Sequence, residues 1–407
     1  ACMMSVAVWF SACAGAHPTT GSRHTPRCVT LLAANDVHGS LEPQRRHAGD
    51  VSVMVGGLLT MSGYINAIRA RSRHAVVLLD AGDIYQGTLV SNRFWGRSVI
   101  DVYNAMEFDA AVLGNHEFDF GDGERKDGDL LGVVRDRVAQ ARFPFLTLNV
   151  RDRNRQTMID WPNTRRSMLI ERGAVKVGVI GVSTPQTPNT TRRENVASLD
   201  FALPPSMVAA EAQALRDQGA ELVVLLGHLG GACRDLSDPH DTSSCEQDSE
   251  LFELIRALPH KSVDVAIGGH THQYIAHWYQ GVAVLEAGAS AQSLSRVDVV
   301  HNPTNPSFFV FWGGGCWRRG PPLFVSAGSF FSPPRPGGST WSHPRFTGRS
   351  LCAPSSGKRA AANLGSRAKV RLRRPTRGSR SRPTRRSKRP QPRVWPRSKT
   401  FSTRLSG

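Results

Sequence analysis

The sequence predicts an α/β fold with a layered core whose sheets are covered on both faces. Short runs rich in Val, Ile and Leu alternate with longer helix-like stretches through residues 29–300. Each run is bounded by Gly, Asp or Asn, which is typical of buried strands. Strands that alternate with helices favour parallel pairing, and parallel sheets are buried on both faces.

The individual elements follow from these patterns in chain order. The predicted strands are residues 29–33, 76–79, 110–113, 175–180, 222–226 and 263–267, with 283–287 and 297–300 as two closing strands. The predicted helices, whose lengths and composition exceed those of a strand, are residues 58–70, 206–218 and 249–258.

Charge divides the chain into two parts. The formal net charge of +18 comes from 51 Lys and Arg against 33 Asp and Glu. Residues 302–407 hold 23 of those bases and no acid, so residues 1–301 carry a net charge of −5. The C-terminal part is rich in Pro, Gly, Ser and Arg, a composition that buries too little apolar surface to offset chain entropy. We therefore predict a globular domain at 29–300 and a disordered basic tail at 301–407.

The N-terminal residues 1–28 are similar to part of an export signal followed by a linker. Residues 3–14 are mostly apolar, and Ala14-Gly15-Ala16 fits the small-x-small pattern of a cleavage site. The positively charged start of such a signal is absent, and a disordered end is the alternative interpretation. We predict an exported protein, and no run is long enough for a transmembrane helix.

Two of the seven cysteines have a spacing that carries information. Cys233 and Cys245 flank a polar loop that follows a candidate ligand. In an exported protein this spacing favours a local disulfide, and two free thiols are the alternative in a reducing compartment.

Five short segments place metal-ligand residues directly after apolar runs. They are Asn35-Asp36-Val37-His38-Gly39, Asp80-Ala81-Gly82-Asp83, Gly114-Asn115-His116-Glu117, Gly227-His228 and Gly269-His270-Thr271-His272. The carboxyl ends of neighbouring strands collect functional groups from distant parts of the sequence. Any one segment is a weak signal, because a lone histidine is usually structural. Five in succession predict ligands for two adjacent metal ions.

The predicted ligands divide into two sets around one shared carboxylate, that of Asp83. The first set consists of Asp36, His38 and His272. The second set consists of Asn115, His228 and His270. Mixed imidazole, carboxylate and amide ligands suit zinc, manganese, iron or cobalt better than calcium. Two adjacent divalent ions are typical of enzymes that hydrolyse phosphate esters.

His116 has a different predicted role from its neighbour Asn115. It follows that ligand directly, so its side chain cannot easily reach the same ion. It is placed instead to bind a phosphoryl oxygen or to protonate a leaving group. Asp119, three residues on, can hold the other ring nitrogen and favour the charged imidazole. Asp80 is predicted to orient a ligand without binding metal itself.

These five segments, with the extension Phe118-Asp119, resemble the calcineurin-like metallophosphoesterases and, within them, the exported 5′-nucleotidase family. The resemblance covers residues 29–300. It implies a four-layer αββα fold, two divalent metal ions, and a metal-activated water that attacks phosphorus in line. It also implies that His116 and Asp119 form the catalytic pair. The basic tail stands where family members carry a second domain that binds the nucleoside.

The predicted function is metal-dependent hydrolysis of phosphate esters, with a nucleoside 5′-monophosphate as the expected small-molecule partner. Phosphodiesterases of cyclic nucleotides or nucleotide sugars, and enzymes that cleave sulfur esters, are alternatives on the same scaffold. Nonspecific nucleic-acid binding by the Arg-rich residues 371–389 is an alternative from another class. A third is an inactive fragment that lacks the second domain. The sequence predicts no specific nucleic-acid partner and leaves the oligomeric state open.

Overall fold

Two stacked sheets and the helices that connect their strands make up most of the part of the chain that the structure describes. The computed structural model describes residues 27–48, 51–173, 175–301, 308–311 and 326–328. The strands are β1 (Arg27–Ala34), β2 (Gln44–Ala48), β3 (Val51–Val55), β4 (Ala75–Asp80), β5 (Ala110–Val112), β6 (Phe145–Leu146), β7 (Arg151–Asp152), β8 (Thr157–Met158), β9 (Thr164–Arg165), β10 (Ser167–Arg172), β11 (Val175–Ser183), β12 (Leu199–Asp200), β13 (Leu222–His228), β14 (Val265–Ile267), β15 (Tyr274–Tyr279), β16 (Val282–Ala287), β17 (Leu294–His301), β18 (Phe308–Phe311) and β19 (Ser326–Gly328). The helices are α1 (Leu58–Arg71), α2 (Leu89–Arg93), α3 (Arg97–Met106), α4 (Gly132–Gln140), α5 (Thr187–Thr190), α6 (Pro205–Asp217) and α7 (Glu250–Ala257), with 3₁₀ turns at His116–Phe118 and Arg193–Val196.

Both large sheets are mixed, with parallel strands at their centres. The first has the order β18-β17-β1-β4-β5-β6-β9, with β19 also paired to β17, and the second has the order β10-β11-β13-β14-β16-β15. In the first sheet β1, β4, β5, β6 and β9 pair in parallel, while β17 is antiparallel to β1. In the second, β11, β13, β14 and β16 pair in parallel between antiparallel edge strands. The parallel strands of each sheet therefore end at one common edge.

Three apolar clusters define four layers. Between the sheets, Leu31 and Val77 of the first sheet belong to one cluster with Val177 and Val224 of the second. The opposite face of the first sheet packs against α1, α3 and α4, and that of the second packs against α6 and α7. Alternation along β4 sends Val77 inward between the sheets and Leu78 outward to the helices. Each such fully buried side chain contributes about 1.5–3 kcal/mol. The predicted four-layer αββα arrangement is confirmed.

Every predicted strand and helix is present, with ends displaced by three residues at most. The elements without a sequence prediction include the β2–β3 hairpin, the edge strands β10 and β15, and the helices α3 and α4. In β10 only Ile170 is buried, and β15 combines aromatic residues with His277, so neither has the Val, Ile and Leu run by which the central strands are predicted. In α3, Val99, Ile100, Tyr103 and Met106 are buried at helical spacing, which is a readable pattern that the prediction does not include.

Two segments of the predicted disordered tail are strands. β18 pairs with β17 through Val310 and Val299, and β19 pairs with the same strand through Ala327 and Ser295. At these seven residues the structure differs from the prediction, because the edge of β17 can accept a further strand and Phe308–Phe311 has high β-propensity. The predicted export signal and residues 371–389 lie outside the described residues, as does the rest of the tail.

Two smaller predictions concern the described part of the chain. Cys233 and Cys245 form the predicted disulfide and also a β-bridge across the loop that follows β13. Among the described helices, none combines the length and the hydrophobicity that a membrane crossing requires.

Candidate metal centre

All nine predicted site residues lie at the carboxyl ends of parallel strands. Those of the first sheet follow β1, β4 and β5, and they are Asp36, His38, Asp83, Asn115, His116 and Asp119. Those of the second sheet end β13 or follow β14, and they are His228, His270 and His272. Because the two sheets are stacked, these loops meet at one edge of the sandwich. The structure brings all nine residues together.

One group of ligand atoms comes from Asp36, His38 and His272. Their nearest ligand atoms all lie within 4.8 Å of one another. The Nε2 atoms of His38 and His272 are 2.9 Å apart, and the Nε2 of His272 is 3.4 Å from Asp36 Oδ1. His38 and His272 are 234 positions apart in the chain, so the fold brings their side chains together.

The second group comes from Asp83, His228 and His270, with Asn115 beside it. The first three also have ligand atoms within 4.8 Å of one another. The Nε2 of His228 is 3.2 Å from Asp83 Oδ2 and 3.1 Å from Asn115 Oδ1. Asp83 Oδ2 lies 3.8 Å from the Nε2 of His38 in the first group as well. The carboxylate of Asp83 therefore faces both sets.

Backbone carbonyls determine which nitrogen two of the histidines present. His38 Nδ1 lies 2.8 Å from the carbonyl oxygen of Gln86, and His228 Nδ1 lies 2.8 Å from that of Ala81. A carbonyl oxygen only accepts a hydrogen bond, so both Nδ1 atoms carry a hydrogen. In the neutral rings Nε2 then holds the free lone pair, the arrangement that metal-ligating histidines use.

Five of the predicted ligands have positive φ angles. The values are 49° for Asp36, 49° for His38, 55° for Asp83, 80° for His270 and 56° for His272. A residue other than glycine in this region costs of order 1–3 kcal/mol, and such residues cluster at functional sites. Hydrogen bonds between the loops hold them there, for instance from Asp36 N to Gly82 O and from His38 N to Asp83 O, both at 2.9 Å.

The charged side chains of the second group shift one another's pKa values. Burial alone raises the pKa of Asp83, but the imidazoles of His228 and His38 outweigh it and hold that pKa well below its ordinary value. Burial likewise opposes a charge on His228, yet the Asp83 carboxylate raises the pKa of His228 to about 10. In His270, burial and then the neighbouring His228 lower the pKa to about 4. A proton on His228 therefore occupies the position that a metal ion would take.

His116 and Asp119 form a hydrogen-bonded pair beside these groups. His116 Nδ1 is 2.6 Å from Asp119 Oδ2, and the backbone N–H of His116 donates to Asp83 Oδ1 at 2.9 Å. The hydrogen bond to Asp119 is the largest cause of a raised pKa of His116, which favours its protonated form. The His116 side chain is 33% exposed, so its Nε2 atom is the nitrogen left to meet a ligand from solvent.

Glu117 has a structural role that the sequence prediction does not include. Its fully buried carboxylate accepts hydrogen bonds from the backbone N–H groups of Asp83, Ile84 and Gly114 at 2.7–2.8 Å. Burial and the nearby Asp83 raise the pKa of Glu117 to about 7. The side chain ties the loop of Asp83 to that of Asn115. An acidic residue inside a motif that follows a buried strand is the signal in the sequence that could have indicated this role.

Asp80 and Asn35 support the loops in a similar way. Asp80 Oδ1 accepts from Gly82 N and Oδ2 accepts from the hydroxyl of Tyr103, both at 2.8 Å. Asp80 therefore holds the turn that leads to Asp83, which agrees with its predicted orienting role. Asn35 donates to Asp36 Oδ2 at 2.7 Å and accepts from the backbone of Ala287 at 3.0 Å, so it links the two sheets.

A family model described as calcineurin-like phosphoesterase matches residues 29–274. The chain belongs to the calcineurin-like phosphoesterase family. The predicted family is thereby confirmed, and the match includes every residue of the two ligand groups.

Relatives of this chain include proteins named 5′-nucleotidase. A snake venom 5′-nucleotidase of Crotalus adamanteus is 33% identical over 271 residues, 66% of this chain and 40% of the relative. A 5′-nucleotidase of Homo sapiens is 27% identical over 61% of this chain and 38% of the relative. The crystal structure of a 5′-nucleotidase precursor from Thermus thermophilus has the same fold, with a TM-score of 0.55 and 23% identity over 73% of this chain and 55% of that one. The chain spans about 40% of the length of the curated relatives it matches.

The donor atoms of the phosphoesterase site fit divalent metal ions. His228 Nε2 faces the acceptor oxygens of Asp83 and Asn115, and the Nε2 atoms of His38 and His272 face one another. Acceptor atoms that converge in this way need a cation or a hydrogen-bond donor between them. Imidazole nitrogen with carboxylate and amide oxygen is the donor set of zinc, manganese, iron and cobalt.

We expect the phosphoesterase to bind divalent metal more tightly as the pH rises from about 6 to about 9. His228, a predicted ligand, would have to lose its proton to coordinate, and its pKa of about 10 means that the metal-free protein holds this proton across that range. Each proton released strengthens the apparent affinity by up to about tenfold per pH unit. Competitive titration of the metal-free protein against a zinc indicator measures the effect. An affinity that does not change with pH would contradict this account of His228.

Gly114→Ala is expected to disrupt the phosphoesterase site. A Cβ atom at Gly114 would lie 2.5 Å from Asp83 N and closer still to Asp83 Oδ1, so the carboxylate must move. We expect the variant to lose most of its bound metal and about 1–3 kcal/mol of stability. Metal content per chain and the free energy of unfolding test this. Gly63→Ala is the matched control, because a Cβ there meets nothing within 4 Å, and a variant pair with equal metal content would overturn the expectation.

Proposed function

We propose that this chain is a metal-dependent phosphoric ester hydrolase that releases phosphate from nucleoside 5′-monophosphates. The observation that carries the proposal is the pair of ligand groups that share Asp83, with the His116–Asp119 pair beside them. This arrangement supports hydrolysis of a phosphate ester, since such a reaction needs charge neutralisation, an activated water and a proton for the leaving group. The named activity of the relatives supports the nucleotide as the substrate class.

The proposed cofactors are two divalent ions, chosen from zinc, manganese, iron and cobalt. One would be held by Asp36, His38, Asp83 and His272. The other would be held by Asp83, Asn115, His228 and His270. When bound, such ions neutralise the phosphoryl oxygens and supply an activated water. Asp83 is the proposed bridging ligand because its carboxylate faces both groups.

His116 is the proposed proton donor to the leaving oxygen. Its Nδ1 is engaged with Asp119, so the proton moves from Nε2, the nitrogen that faces away from that carboxylate. The raised pKa of His116 supports the protonated ring as the resting form. Asp119 keeps the ring in one orientation and stabilises its charge. General acid catalysis of this kind contributes typically 10²–10⁴-fold, on the order of 3–5 kcal/mol.

The proposed partner is a small-molecule nucleotide or phosphate ester, and the proposed location is outside the cytoplasm. The disulfide between Cys233 and Cys245 supports an oxidising compartment. The apolar residues 3–14 support a secretory route. Fractionation of the native host, with detection of the processed N-terminus, tests the location, and an intact cytoplasmic protein with reduced thiols contradicts it.

Two product assays test the proposed function, namely the release of inorganic phosphate and the chromatographic separation of cyclic AMP, AMP and adenosine. The full chain is assayed with AMP, 4-nitrophenyl phosphate and cyclic AMP, each in the presence of Mn²⁺ and again with excess chelator. We expect hydrolysis of AMP and of the aryl ester, with both activities removed by the chelator and restored by metal. Hydrolysis of cyclic AMP with AMP left intact would instead support the phosphodiesterase alternative. Folded, metal-loaded protein that hydrolyses none of the three would refute the proposal.

A further inference from the structure

One segment outside the five ligand motifs contacts the loop that carries His116. It runs from residue 186 to residue 196 and contains α5 (Thr187–Thr190) and the 3₁₀ turn Arg193–Val196. Asn195, which is buried, donates from Nδ2 to the carbonyl oxygens of Phe118 at 2.7 Å and Asp119 at 3.2 Å. The segment is thus fastened to the backbone around Asp119.

A second contact of this segment controls the orientation of Asn115. The Asn115 Nδ2 atom donates to the carbonyl oxygen of Thr190 at 3.0 Å. Since an amide group has its donor and acceptor on opposite sides, this bond turns Oδ1 toward His228 Nε2, 3.1 Å away. The proposed metal ligand is therefore held in its ligating orientation by residue 190.

The third contact reaches the proposed catalytic pair itself. The hydroxyl of Thr191 donates to Asp119 Oδ1 at 2.6 Å, while the other oxygen, Oδ2, faces His116 Nδ1 at 2.6 Å. Rotation of a carboxylate about its terminal bond is soft, so a single partner does not define its plane. With one partner on each oxygen, the plane of Asp119 and hence the direction of the His116 ring are both defined.

We infer that Thr191 is a positioning residue that holds Asp119 so that His116 presents Nε2 to the leaving oxygen. The inference rests on the proposed function and adds a residue that none of the ligand motifs contains. Thr191 forms no bond to substrate and transfers no proton, and it acts through Asp119 alone. Proton donation matters most when the leaving alkoxide is strongly basic. The contribution of Thr191 should therefore grow with the basicity of the leaving group.

Two substitutions of Thr191 separate this role from a general structural one. Thr191→Val keeps the shape and removes the hydroxyl, whereas Thr191→Ser keeps the hydroxyl. In the full chain with Mn²⁺, we expect Thr191→Val to lower kcat by about 10–30-fold on AMP, whose leaving group is a basic alcohol, and by less than about threefold on 4-nitrophenyl phosphate. Thr191→Ser should stay within about twofold of the parent protein on both. Metal content per chain should be unchanged in both variants.

Thr164→Val is the matched control. Thr164 lies on β9, the last strand of the first sheet, and its hydroxyl donates to the carbonyl oxygen of Trp161 at 2.8 Å. The substitution should leave kcat on both substrates unchanged. Equal losses on AMP and the aryl ester in Thr191→Val, or a failure of Thr191→Ser to restore kcat on AMP, would overturn the inference.

A readout that needs no turnover separates this inference from the proposed function. The Nδ1 proton of His116 in a short bond to Asp119 gives a downfield imidazole resonance in ¹⁵N-histidine-labelled protein, assigned by its loss in His116→Asn. We expect the resonance in the parent and in Thr191→Ser, and an upfield shift or loss of it in Thr191→Val. A parent protein that hydrolyses neither ester refutes the proposed function, while an unchanged resonance in Thr191→Val overturns the positioning role.

Discussion

We expect Asp83→Asn to lose at least about a thousandfold in kcat/KM on AMP and to retain fewer than two metal ions per chain. Asp83 Oδ2 is 3.2 Å from His228 Nε2 and 3.8 Å from His38 Nε2, so both ligand groups depend on one carboxylate. An amide of the same shape removes the negative charge that two adjacent cations require between them. It also presents an N–H₂ group toward one partner. The substitution should therefore lower the metal content per chain, and the fall in kcat/KM should follow from that loss of metal.

A half-buried carboxylate elsewhere, that of Asp264, separates this loss from simple destabilisation. Asp264 accepts hydrogen bonds from Val223 N at 2.8 Å and Arg216 Nη2 at 2.9 Å, far along the second sheet from its ligand edge. Asp264→Asn should lower the free energy of unfolding by about 1–3 kcal/mol and leave two metal ions in place. Metal analysis and kcat/KM are measured for both variants side by side. Asp83→Asn protein that binds two ions and turns over AMP at a rate near that of Asp264→Asn would exclude the bridging role.

The ligand residues are predictable because each lies directly after a short apolar run. A buried parallel strand is readable from composition, and its carboxyl end is the place where loop residues converge. The assignment of His38 and His272 to one ion, across 234 positions, follows from that rule together with the stacking of two sheets. The strands β1 and β14 leave little freedom to the loops that follow them, which makes the positions of these ligands predictable from the sequence.

The supporting contacts are not predictable in the same way. Thr191 meets Asp119 across 72 positions, and it lies between two short helical turns that have no apolar period to fix their placement. Glu117 stands inside a motif, yet its three backbone donors come from two different loops. Such contacts depend on the exact path of loops after the strands have packed. Composition can also predict too little structure. The strands β18 and β19 pair with β17, although the composition of residues 301–407 predicts disorder.

The hydrogen bonds between the ligand loops also hold residues whose backbone is strained. Asp36 and His270 both have positive φ, and the backbone N–H of His270 donates to Asp36 Oδ2 at 2.9 Å. Asn35 donates to the same oxygen at 2.7 Å. A carboxylate with two such donors is held before any cation arrives, so little reorganisation accompanies binding. The strain of order 1–3 kcal/mol per residue is therefore carried by the scaffold and not by the binding step.

His116→Asn should separate catalysis from metal binding more cleanly than any other change at the site. His116 contributes only its backbone N–H to Asp83, at 2.9 Å, and this bond survives replacement of the side chain. We expect two metal ions per chain and a fall in kcat on AMP of about 10²–10⁴-fold, because the leaving alkoxide then departs without a proton donor. On 4-nitrophenyl phosphate the fall should be at least about tenfold smaller, since that leaving group is stable as an anion.

A histidine outside the site provides the comparison. His74 Nε2 bonds the hydroxyl of Thr30 at 2.8 Å, and His74→Asn should keep both the metal content and kcat. Asp119→Asn should also lower kcat more on AMP than on 4-nitrophenyl phosphate, but by a smaller factor than His116→Asn does. The His116 ring remains in this variant, but its orientation and charge are no longer supported. Combining the two substitutions should add little to the loss from His116→Asn alone, as expected for residues that act as one unit. If His116→Asn loses metal and activity together, or loses equally on both esters, the side chain serves the metal groups and the proton must reach the leaving oxygen by another route.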